Sequence, residues 1–285
     1  MVDPVLDDDD DEKWVGYPGH TRAKHELLKY YLDIWFRVLG HPQYNLRIFD
    51  CFAGRGEYYP EDQDEPLEIE NLNQEADFPG SPQAILDVAS EHSHQAGQID
   101  CVFIDYKQKN ARLLSENLPP SSELPENVDY QIVNGKFQDK ATEMITETGG
   151  WSVPTFFFMD PFGYKPLEYD IVTQLASRDR FEVLINLMAS EVVRWQDTEK
   201  HHEAHQTLFG TDDWHTELEQ FEPEMWQKEV GYYCERLEEK GPDHTIAYLV
   251  TEENSSKMKY YLVFGTNDET GVEKMRSAMQ RKGTG

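Results

Sequence analysis

Five short, mainly apolar runs alternate with segments of helical periodicity, and this alternation constrains the fold more than any other feature. The runs are Leu46–Phe49, Cys101–Ile104, Tyr130–Val133, Thr155–Met159 and Val183–Leu187. Runs of this length, rich in β-branched and aromatic residues, are typical of buried strands. Strands separated by helices predict an α/β protein with a parallel sheet and helices on both faces.

Two of the connecting helices have recognisable start signals. Apolar residues recur at intervals of three and four along Leu27–Leu39, with Thr21 as the expected N-cap and Gly40 as the expected end. Ser81 is the expected N-cap of a second helix, with Pro82 at its first position.

Near the C-terminus, two strand-like runs, Ile246–Val250 and Lys259–Phe264, are joined by a short link. A link this short forces the two strands to run antiparallel. A last helix is expected over Gly271–Gln280. Five parallel strands followed by an antiparallel β-hairpin is the order of the Rossmann-like class I methyltransferase fold, which simple dinucleotide-binding domains do not share.

The organisation predicted for the chain is one methyltransferase-like domain over residues 19–285, preceded by an acidic, disordered tail at 1–18. Residues 57–79 are expected to form an acidic surface insertion. Residues 191–238 are expected to form a helical cap over the carboxyl ends of the strands. Its aromatic residues include Trp195, Phe209, Trp214 and Trp226.

The chain is strongly acidic, with a net charge of −29 from 55 acidic and 26 basic residues. Such a charge normally repels nucleic acid. One interpretation is a halophilic protein, because molar salt screens charges within about 3 Å. The other is an acidic surface that binds a partner. The first is favoured because the acid excess runs through almost every surface segment, and it leaves a nucleic-acid substrate open.

The cysteine content and the hydropathy pattern bear on the compartment. Cys51, Cys101 and Cys234 have no metal-binding spacing and predict buried thiols in a reducing environment. No apolar run reaches the roughly 18 residues of a membrane helix, and the acidic N-terminus does not resemble a signal peptide. We therefore expect a cytoplasmic protein without a membrane partner.

The segment D-C-F-A-G-R-G, residues 50–56, directly follows the first apolar run. Small residues let a backbone approach a ligand closely, and ligands of open α/β sheets bind beyond the carboxyl ends of the strands. No Gly-Lys-Ser/Thr sequence follows, which disfavours a phosphate-binding loop. The turn therefore predicts a site for S-adenosylmethionine, whose contacts would include Asp50, Phe52, Ala53, Gly54 and Gly56.

Asp105 ends the second apolar run and is expected to accept hydrogen bonds from both ribose hydroxyls of that cofactor. It lies 55 residues after Asp50, against about 20 in dinucleotide-binding folds. The acidic insertion at 57–79 accounts for the difference. Tyr106 is expected to pack beside the adenine.

Further contacts to the cofactor are predicted from neighbouring loops. Phe137 or Asp139, after the third run, would touch the adenine. Ser81 would lie at the carboxylate end of the cofactor. Lys24, with His25, would reach either that carboxylate or the substrate, although a solvated helix start is an equal alternative.

The segment D-P-F-G-Y, residues 160–164, ends the fourth apolar run. It resembles the D-P-P-Y motif of amino-group methyltransferases, in which the Asp side chain and a Pro carbonyl accept hydrogen bonds from the target amine. There an aromatic residue stacks on a base taken out of its helix. Asp160 and Pro161 match this motif, and the predicted catalytic set is Asp160, Pro161 and Phe162. Gly163 stands in the aromatic position, which leaves the identity of the acceptor open.

The combined motifs resemble those of the three-Cys-motif partner proteins (TcmP). The shared elements are T-x-x-K-H from residue 21, D-C-F-A-G-R-G-E, G-S-P from residue 80, F-F-M-D-P-F-G and V-L-I-N from residue 183, with the final hairpin and G-x-x-K-M from residue 271. The resemblance implies a methyltransferase-like fold and a neighbouring protein that carries a three-cysteine motif, often in mobile or phage-related settings. It does not imply a particular reaction.

Three functions are compatible with these motifs. The first is an S-adenosylmethionine-dependent methyltransferase that acts on an exocyclic amine, in particular of a nucleic-acid base. The second is a non-catalytic module that binds the cofactor and serves a three-Cys-motif protein. A nucleotide hydrolase or nuclease is disfavoured by the missing phosphate loop. No metal is expected, because His201, His202 and His205 lack a matching carboxylate or cysteine pattern.

Overall fold

A mixed β-sheet with helices on both faces forms the centre of the protein in a computed structural model, which describes residues 19–58, 78–222, 227–251 and 258–282. The predicted tail at 1–18, most of the predicted acidic insertion and Trp226 lie outside these residues. None of the described helices combines the length and the apolar character needed to cross a bilayer.

The strands of the described residues fall into one large sheet and one short hairpin. They are β1 Leu46–Asp50, β2 Glu57–Tyr58, β3 Phe78–Pro79, β4 Ile99–Asp105, β5 Val128–Asn134, β6 Thr155–Met159, β7 Phe181–Leu187, β8 His244–Thr251 and β9 Met258–Thr266.

The helices of the described residues alternate with the strands up to β7 and then accumulate before β8. They are α1 Gly19–Leu39, α2 Ser81–Glu91, α3 Gln108–Asn117, α4 Phe137–Glu147, α5 Tyr169–Ala176, α6 Ala189–Trp195, α7 His202–Phe209, α8 Trp214–Gln220, α9 Lys228–Lys240 and α10 Glu269–Lys282.

The seven strands of the large sheet, counted over the described residues, lie in the order β5-β4-β1-β6-β7-β9-β8. The pairs from β5 to β7 are parallel, whereas β9 runs antiparallel to both β7 and β8. The chain moves outward from β1 to β5 and then returns to β6 on the other side of β1. A crevice forms beyond the carboxyl ends of the strands at such a switch point.

Each face of the sheet has its own apolar core, because successive residues of a strand point to opposite faces. Phe156 and Phe158 of β6 pack with α1, α2 and α10 on one face. Phe157 and Met159 pack with α4 to α9 on the other. Phe209 and Trp214, from the predicted cap, belong to this second core.

The predicted α/β fold with five parallel strands and a final hairpin is confirmed. Two predicted N-caps are wrong. Thr21 lies inside α1, which already begins at Gly19. Gly80 is the N-cap of α2, and Ser81 is its first helical residue. No side-chain hydrogen bond caps this helix, and the Ser81 side chain instead interacts with Asp50, whose pKa it lowers.

Candidate functional site

The glycine turn after β1 brings its backbone against open space at the carboxyl edge of the sheet. Gly54 and Gly56 have φ angles of +65° and +85°, which other residues rarely adopt. A Cβ on Gly56 would lie 2.7 Å from Leu114, whereas a Cβ on Gly54 would meet no heavy atom of the described residues within 4 Å. Gly54 therefore borders a space that a ligand can fill.

Hydrogen bonds from three sides fix this turn. The Gly54 N–H donates to Oδ2 of Asp105 at 3.0 Å, and the Ala53 N–H donates to the Ile104 carbonyl at 2.9 Å. The Gly80 N–H donates to the Gly56 carbonyl at 2.8 Å, which joins the start of α2 to the turn. The turn is thus held in shape by the protein alone.

Asp50, the last residue of β1, is fully buried beside the turn. Its Oδ1 accepts a hydrogen bond from the Phe52 N–H at 3.2 Å. Burial raises the pKa of Asp50 to about 7, although the hydrogen bonds from Ser81 and Phe52 lower it. The carboxyl therefore exchanges its proton near neutral pH.

Asp105 lies at the end of β4, beside β1, and is also buried. Burial raises its pKa, and hydrogen bonds to Lys107, Asn110 and Gly54 oppose the rise. Its Oδ1 accepts from the Lys107 N–H at 2.8 Å and from the Asn110 side chain at 3.2 Å. Tyr106, the next residue, is 55% exposed. The carboxylate and the exposed ring thus lie on the rim predicted to hold the ribose and adenine.

Asp160 follows β6 on the other side of β1 and is held by two side chains from distant elements. Lys24 of α1 forms an ion pair with Oδ2, and the Asn186 side chain of β7 donates to Oδ1 at 2.6 Å. Burial would raise the pKa of Asp160, but the charge and hydrogen bond of Lys24 outweigh it and lower the pKa below its usual value. Asp160 is therefore a largely buried, ionised acceptor.

The loop after Asp160 presents an aromatic ring to solvent. Pro161 is buried, whereas Phe162 is 98% exposed. Gly163 has a φ of +83°, and a Cβ there would lie 3.0 Å from Oε2 of Glu191. A phenylalanine this exposed contributes little to packing among the described residues, so its ring is available to a ligand.

Tyr164 anchors this loop in the second core. Its hydroxyl lies 3.3 Å from Nδ1 of His201 and 3.4 Å from Nδ1 of His205. The ring of His205 stacks on Trp214 and that of His201 on Trp195, with centroids 4.7 and 4.8 Å apart. Within the described residues, no group of three or more His, Cys, Asp or Glu is arranged to hold a metal ion.

The two residues predicted near the adenine differ in accessibility. Phe137 is 2% exposed, and its ring centroid lies 5.7 Å from that of the half-buried Phe52. Asp139 is exposed in the first turn of α4. Phe137 therefore supports Phe52 within the core, and a direct contact between Phe137 and a cofactor stays a prediction.

Asn186 is a site residue for which the sequence predicted no role. The sequence signal was present: Asn186 is the single polar residue in the otherwise apolar run V-L-I-N-L. Its side chain is buried at the carboxyl end of β7, next to β6 in the sheet, which is how it reaches Asp160.

A groove of about 590 Å³ between α1 and α2 is lined by none of the predicted site residues.

Comparison with known proteins supports the fold. No protein-family model matches the sequence, and no curated protein is similar enough to match it. Protein LPL1258 from Legionella pneumophila, described by the family model DUF519, is 14% identical. The similarity covers 93% of this chain and 91% of that chain, with a TM-score of 0.54. At this identity the similarity shows a shared fold.

Two further solved structures are similar at lower scores. Trm1 from Pyrococcus horikoshii, in complex with S-adenosyl-L-methionine, is 10% identical with a TM-score of 0.44, and the similarity covers 93% of this chain and 60% of that one. A DUF574 family protein from Streptomyces avermitilis is 12% identical with a TM-score of 0.44, covering 87% and 83%. Scores of this size transfer neither ligand nor activity to this chain.

The resemblance to three-Cys-motif partner proteins stays a prediction, because no family model matches. The strand order, with its antiparallel β9 between β7 and β8, and the glycine turn after β1 are those of the Rossmann-like fold of class I methyltransferases.

Proposed function

We propose that this protein is an S-adenosylmethionine-dependent methyltransferase that modifies an exocyclic amino group of a nucleic-acid base. One observation carries the proposal: the ionised, largely buried Asp160 follows β6, beside the glycine turn that follows β1, and stands two residues from the fully exposed Phe162. An acceptor for an amine, a surface for a planar ring and a cofactor turn thus share one edge of the sheet.

The residues at the glycine turn fit the cofactor. The open space at Gly54 would admit the methionine part of the ligand. The Asp105 carboxylate accepts three hydrogen bonds and has about one accepting position left for a ribose hydroxyl. Tyr106 offers an exposed ring for the adenine. Asp50, Phe52, Ala53, Gly56 and Ser81 complete the proposed pocket. When bound, S-adenosylmethionine would supply an electrophilic methyl group.

The residues of the loop after β6 fit the amine. The Asp160 carboxylate and the Pro161 carbonyl would accept hydrogen bonds from its N–H groups and so orient the nitrogen lone pair. Phe162 would stack on the base, which has to leave its helix to reach the site. Positioning of this kind is worth several orders of magnitude in rate without a strong base.

A non-catalytic cofactor-binding module is the second candidate. The observation in its favour is that both oxygens of Asp160 already accept hydrogen bonds, from Lys24 and Asn186. On this account the loop after β6 would be a docking surface for a protein partner, such as a three-Cys-motif protein, and would take no substrate.

Transfer of labelled methyl groups to RNA homopolymers separates the two candidates. We expect transfer to at least one of poly(A), poly(C) and poly(G), and none to poly(U) or poly(I), which lack an exocyclic amine. The reactions are run in low and in molar KCl because the chain carries a charge of −29.

Asp160→Asn keeps the shape of the side chain and is expected to abolish transfer while cofactor binding survives. Asp179→Asn, an exposed carboxylate in the loop before β7 at the opposite edge of the sheet, is the matched control and should transfer normally. Cofactor binding by the wild type without transfer to single-stranded RNA or DNA of any base would support the non-catalytic module.

A further inference from the structure

We propose that Lys24 and Asn186 are positioning residues that clamp the two oxygens of Asp160, and that Lys24 serves the amine acceptor and not the carboxylate of the cofactor. The inference rests on the proposed function for the meaning of Asp160. The clamp itself is built from three elements that are far apart in sequence: α1, the loop after β6, and β7.

The ion pair between Lys24 and Asp160 is largely shielded from water, so it is favourable only if its geometry is good. The side chain of Lys24 is 7% exposed and that of Asp160 is 15% exposed. A buried ammonium is costly unless an anion and further polar contacts compensate it. Lys24 finds the anion in Asp160 and lies 5.8 Å from the ring centroid of Tyr260 on β9. The ammonium is therefore fixed in place between α1 and the sheet.

Asn186 holds the other oxygen of the carboxylate. Its Nδ2 donates to Oδ1 at 2.6 Å, while Lys24 binds Oδ2, so the carboxylate is restrained at both ends. An ionised carboxylate has about four lone-pair positions, so these two donors leave room for an amine. The Oδ1 of Asn186 is buried and accepts no hydrogen bond from the described residues. The amide is thus oriented through its donor, by Asp160.

Lys24 is the cation that this cluster depends on. His25, its neighbour on α1, is buried. Burial, and to a smaller extent the positive charge of Lys24, lowers the pKa of His25 to about 3. His25 is therefore neutral in the physiological range. Asp50, the other acid facing the cluster, has a pKa raised to about 7 by burial, and the charge of Asp160 contributes to that rise. Removing Lys24 would leave two carboxyl groups facing each other without a counter-ion.

The test compares Lys24→Met with Lys29→Met. Lys29 lies on the same helix and pairs with Asp87 at 2.9 Å, but both side chains are 39% exposed. The first readout is the carbon-13 NMR titration of the Asp160 carboxyl. An opposite charge within about 4 to 6 Å of a carboxyl typically lowers the pKa of that carboxyl by about 1 to 3 units. We expect Lys24→Met to raise the pKa of Asp160 by at least about one unit, and Lys29→Met to leave it unchanged.

The second readout is calorimetric titration of S-adenosylmethionine, and the third is methyl transfer. We expect Lys24→Met to keep the Kd of the cofactor within about threefold of the wild-type value. It should lower kcat by about 100-fold, the loss expected when a reacting group is misplaced by about 1 Å. It should also move the acid limb of the pH profile of kcat to higher pH. Lys24→Arg should restore part of kcat. Asn186→Leu removes one clamp without touching the ion pair and should lower kcat alone, which keeps the test decisive if Lys24→Met folds poorly.

Two results would overturn the inference. An unchanged titration of Asp160 in Lys24→Met would show that Lys24 does not hold that carboxylate. A loss of cofactor affinity of more than about tenfold, with Asp160 unchanged, would make Lys24 a cofactor ligand. If wild-type protein transfers no methyl group but the titration shifts, the proposed function fails while the clamp on Asp160 stands.

Discussion

The two edges of the central sheet both bury charged side chains, but the surroundings of these side chains differ between the edges. At the amino edge, Arg47 of β1 is fully buried, and its five guanidinium N–H groups share six acceptor contacts of 2.9 to 3.2 Å with side chains and carbonyls. Glu182 of β7 accepts from the hydroxyls of Tyr31 and Thr266 at 2.8 and 3.0 Å. These networks are closed within the chain.

At the carboxyl edge, several groups border open space or have an atom without a hydrogen-bond partner among the described residues. Gly54 borders open space, Phe162 is 98% exposed, and Oδ1 of Asn186 accepts no hydrogen bond from the described residues. A buried charge alone therefore does not mark a functional site in this molecule. The two edges differ instead in the open space at Gly54 and the exposed ring of Phe162, and the following variants test that difference.

The largest loss of stability is expected from Arg47→Met at the amino edge. The variant removes the guanidinium donor from the carbonyls of Thr148 and Gly150 and from the buried Thr155 hydroxyl, so the free energy of unfolding should fall by about 3 kcal/mol or more. Urea unfolding measures the change. Arg37→Met is the control, because Arg37 pairs with Asp33 on the surface of α1, and it should change stability by less than about 0.5 kcal/mol. Equal losses in the two variants would contradict a closed network around Arg47.

The pH dependence of stability should report on Glu182. Burial raises its pKa from 4.5 to about 7, against the hydrogen bonds from Tyr31 and Thr266. A carboxyl whose pKa is raised by folding contributes stability in full below its unfolded pKa and loses it as the pH rises through the folded pKa. We expect wild-type protein to lose about 2 to 3 kcal/mol from this group between pH 5 and pH 8.

Glu182→Gln should remove that part of the pH dependence, measured by urea unfolding at both pH values. Glu143→Gln, on the exposed surface of α4, should leave the pH dependence as it is in the wild type. A Glu182→Gln protein with the slope of the wild type would show that Glu182 titrates normally and that the amino-edge network is not closed around it.

The two glycines of the turn should separate stability from binding. Gly56→Ala combines a positive φ with a Cβ 2.7 Å from Leu114, and should lower the free energy of unfolding by about 2 kcal/mol. Gly54→Ala has the φ penalty without a clash, and about 1 kcal/mol is expected. Chemical denaturation of both variants checks the order, and a larger loss for Gly54→Ala would mean that the space beside it is filled.

The smallest effect on stability is expected from Phe162→Ala, within about 0.5 kcal/mol, because its side chain is 98% exposed. Its effect on substrate should be larger, since stacking on one base is worth about 1 to 3 kcal/mol, which raises KM for a homopolymer about tenfold. Tyr44→Ala is the matched control: Tyr44 is 54% exposed in the loop before β1, at the opposite edge. An unchanged KM in Phe162→Ala would remove the exposed ring from the site.

The sheet was predictable from sequence because each buried strand leaves an apolar run. The predicted starts of β4, β5 and β7 fall two residues late, since Asp100, Asp129 and Glu182 interrupt the apolar pattern near each true start. Glu182 is buried all the same, through hydroxyl partners that come from α1 and β9. Periodicity cannot register such long-range partners.

The rim residues Asp50, Asp105 and Asp160 were predictable for a similar reason, because each ends or follows an apolar run and parallel strands end at one edge. Their partners were not. The contact between Lys24 and Asp160 joins residues 136 positions apart, and the contact between Asn186 and Asp160 depends on the pairing of β6 with β7. Both follow from tertiary packing that a single sequence does not display.

Calorimetric titration of S-adenosylmethionine in molar KCl tests most directly the claim that the carboxyl edge is the functional edge. We expect saturable binding at one site in wild-type protein, at least tenfold weaker binding in Gly54→Ala, whose added methyl group would enter the open space, and unchanged binding in the amino-edge variant Glu182→Gln. No binding to wild-type protein, or equal affinity in wild type and Gly54→Ala, would contradict the account.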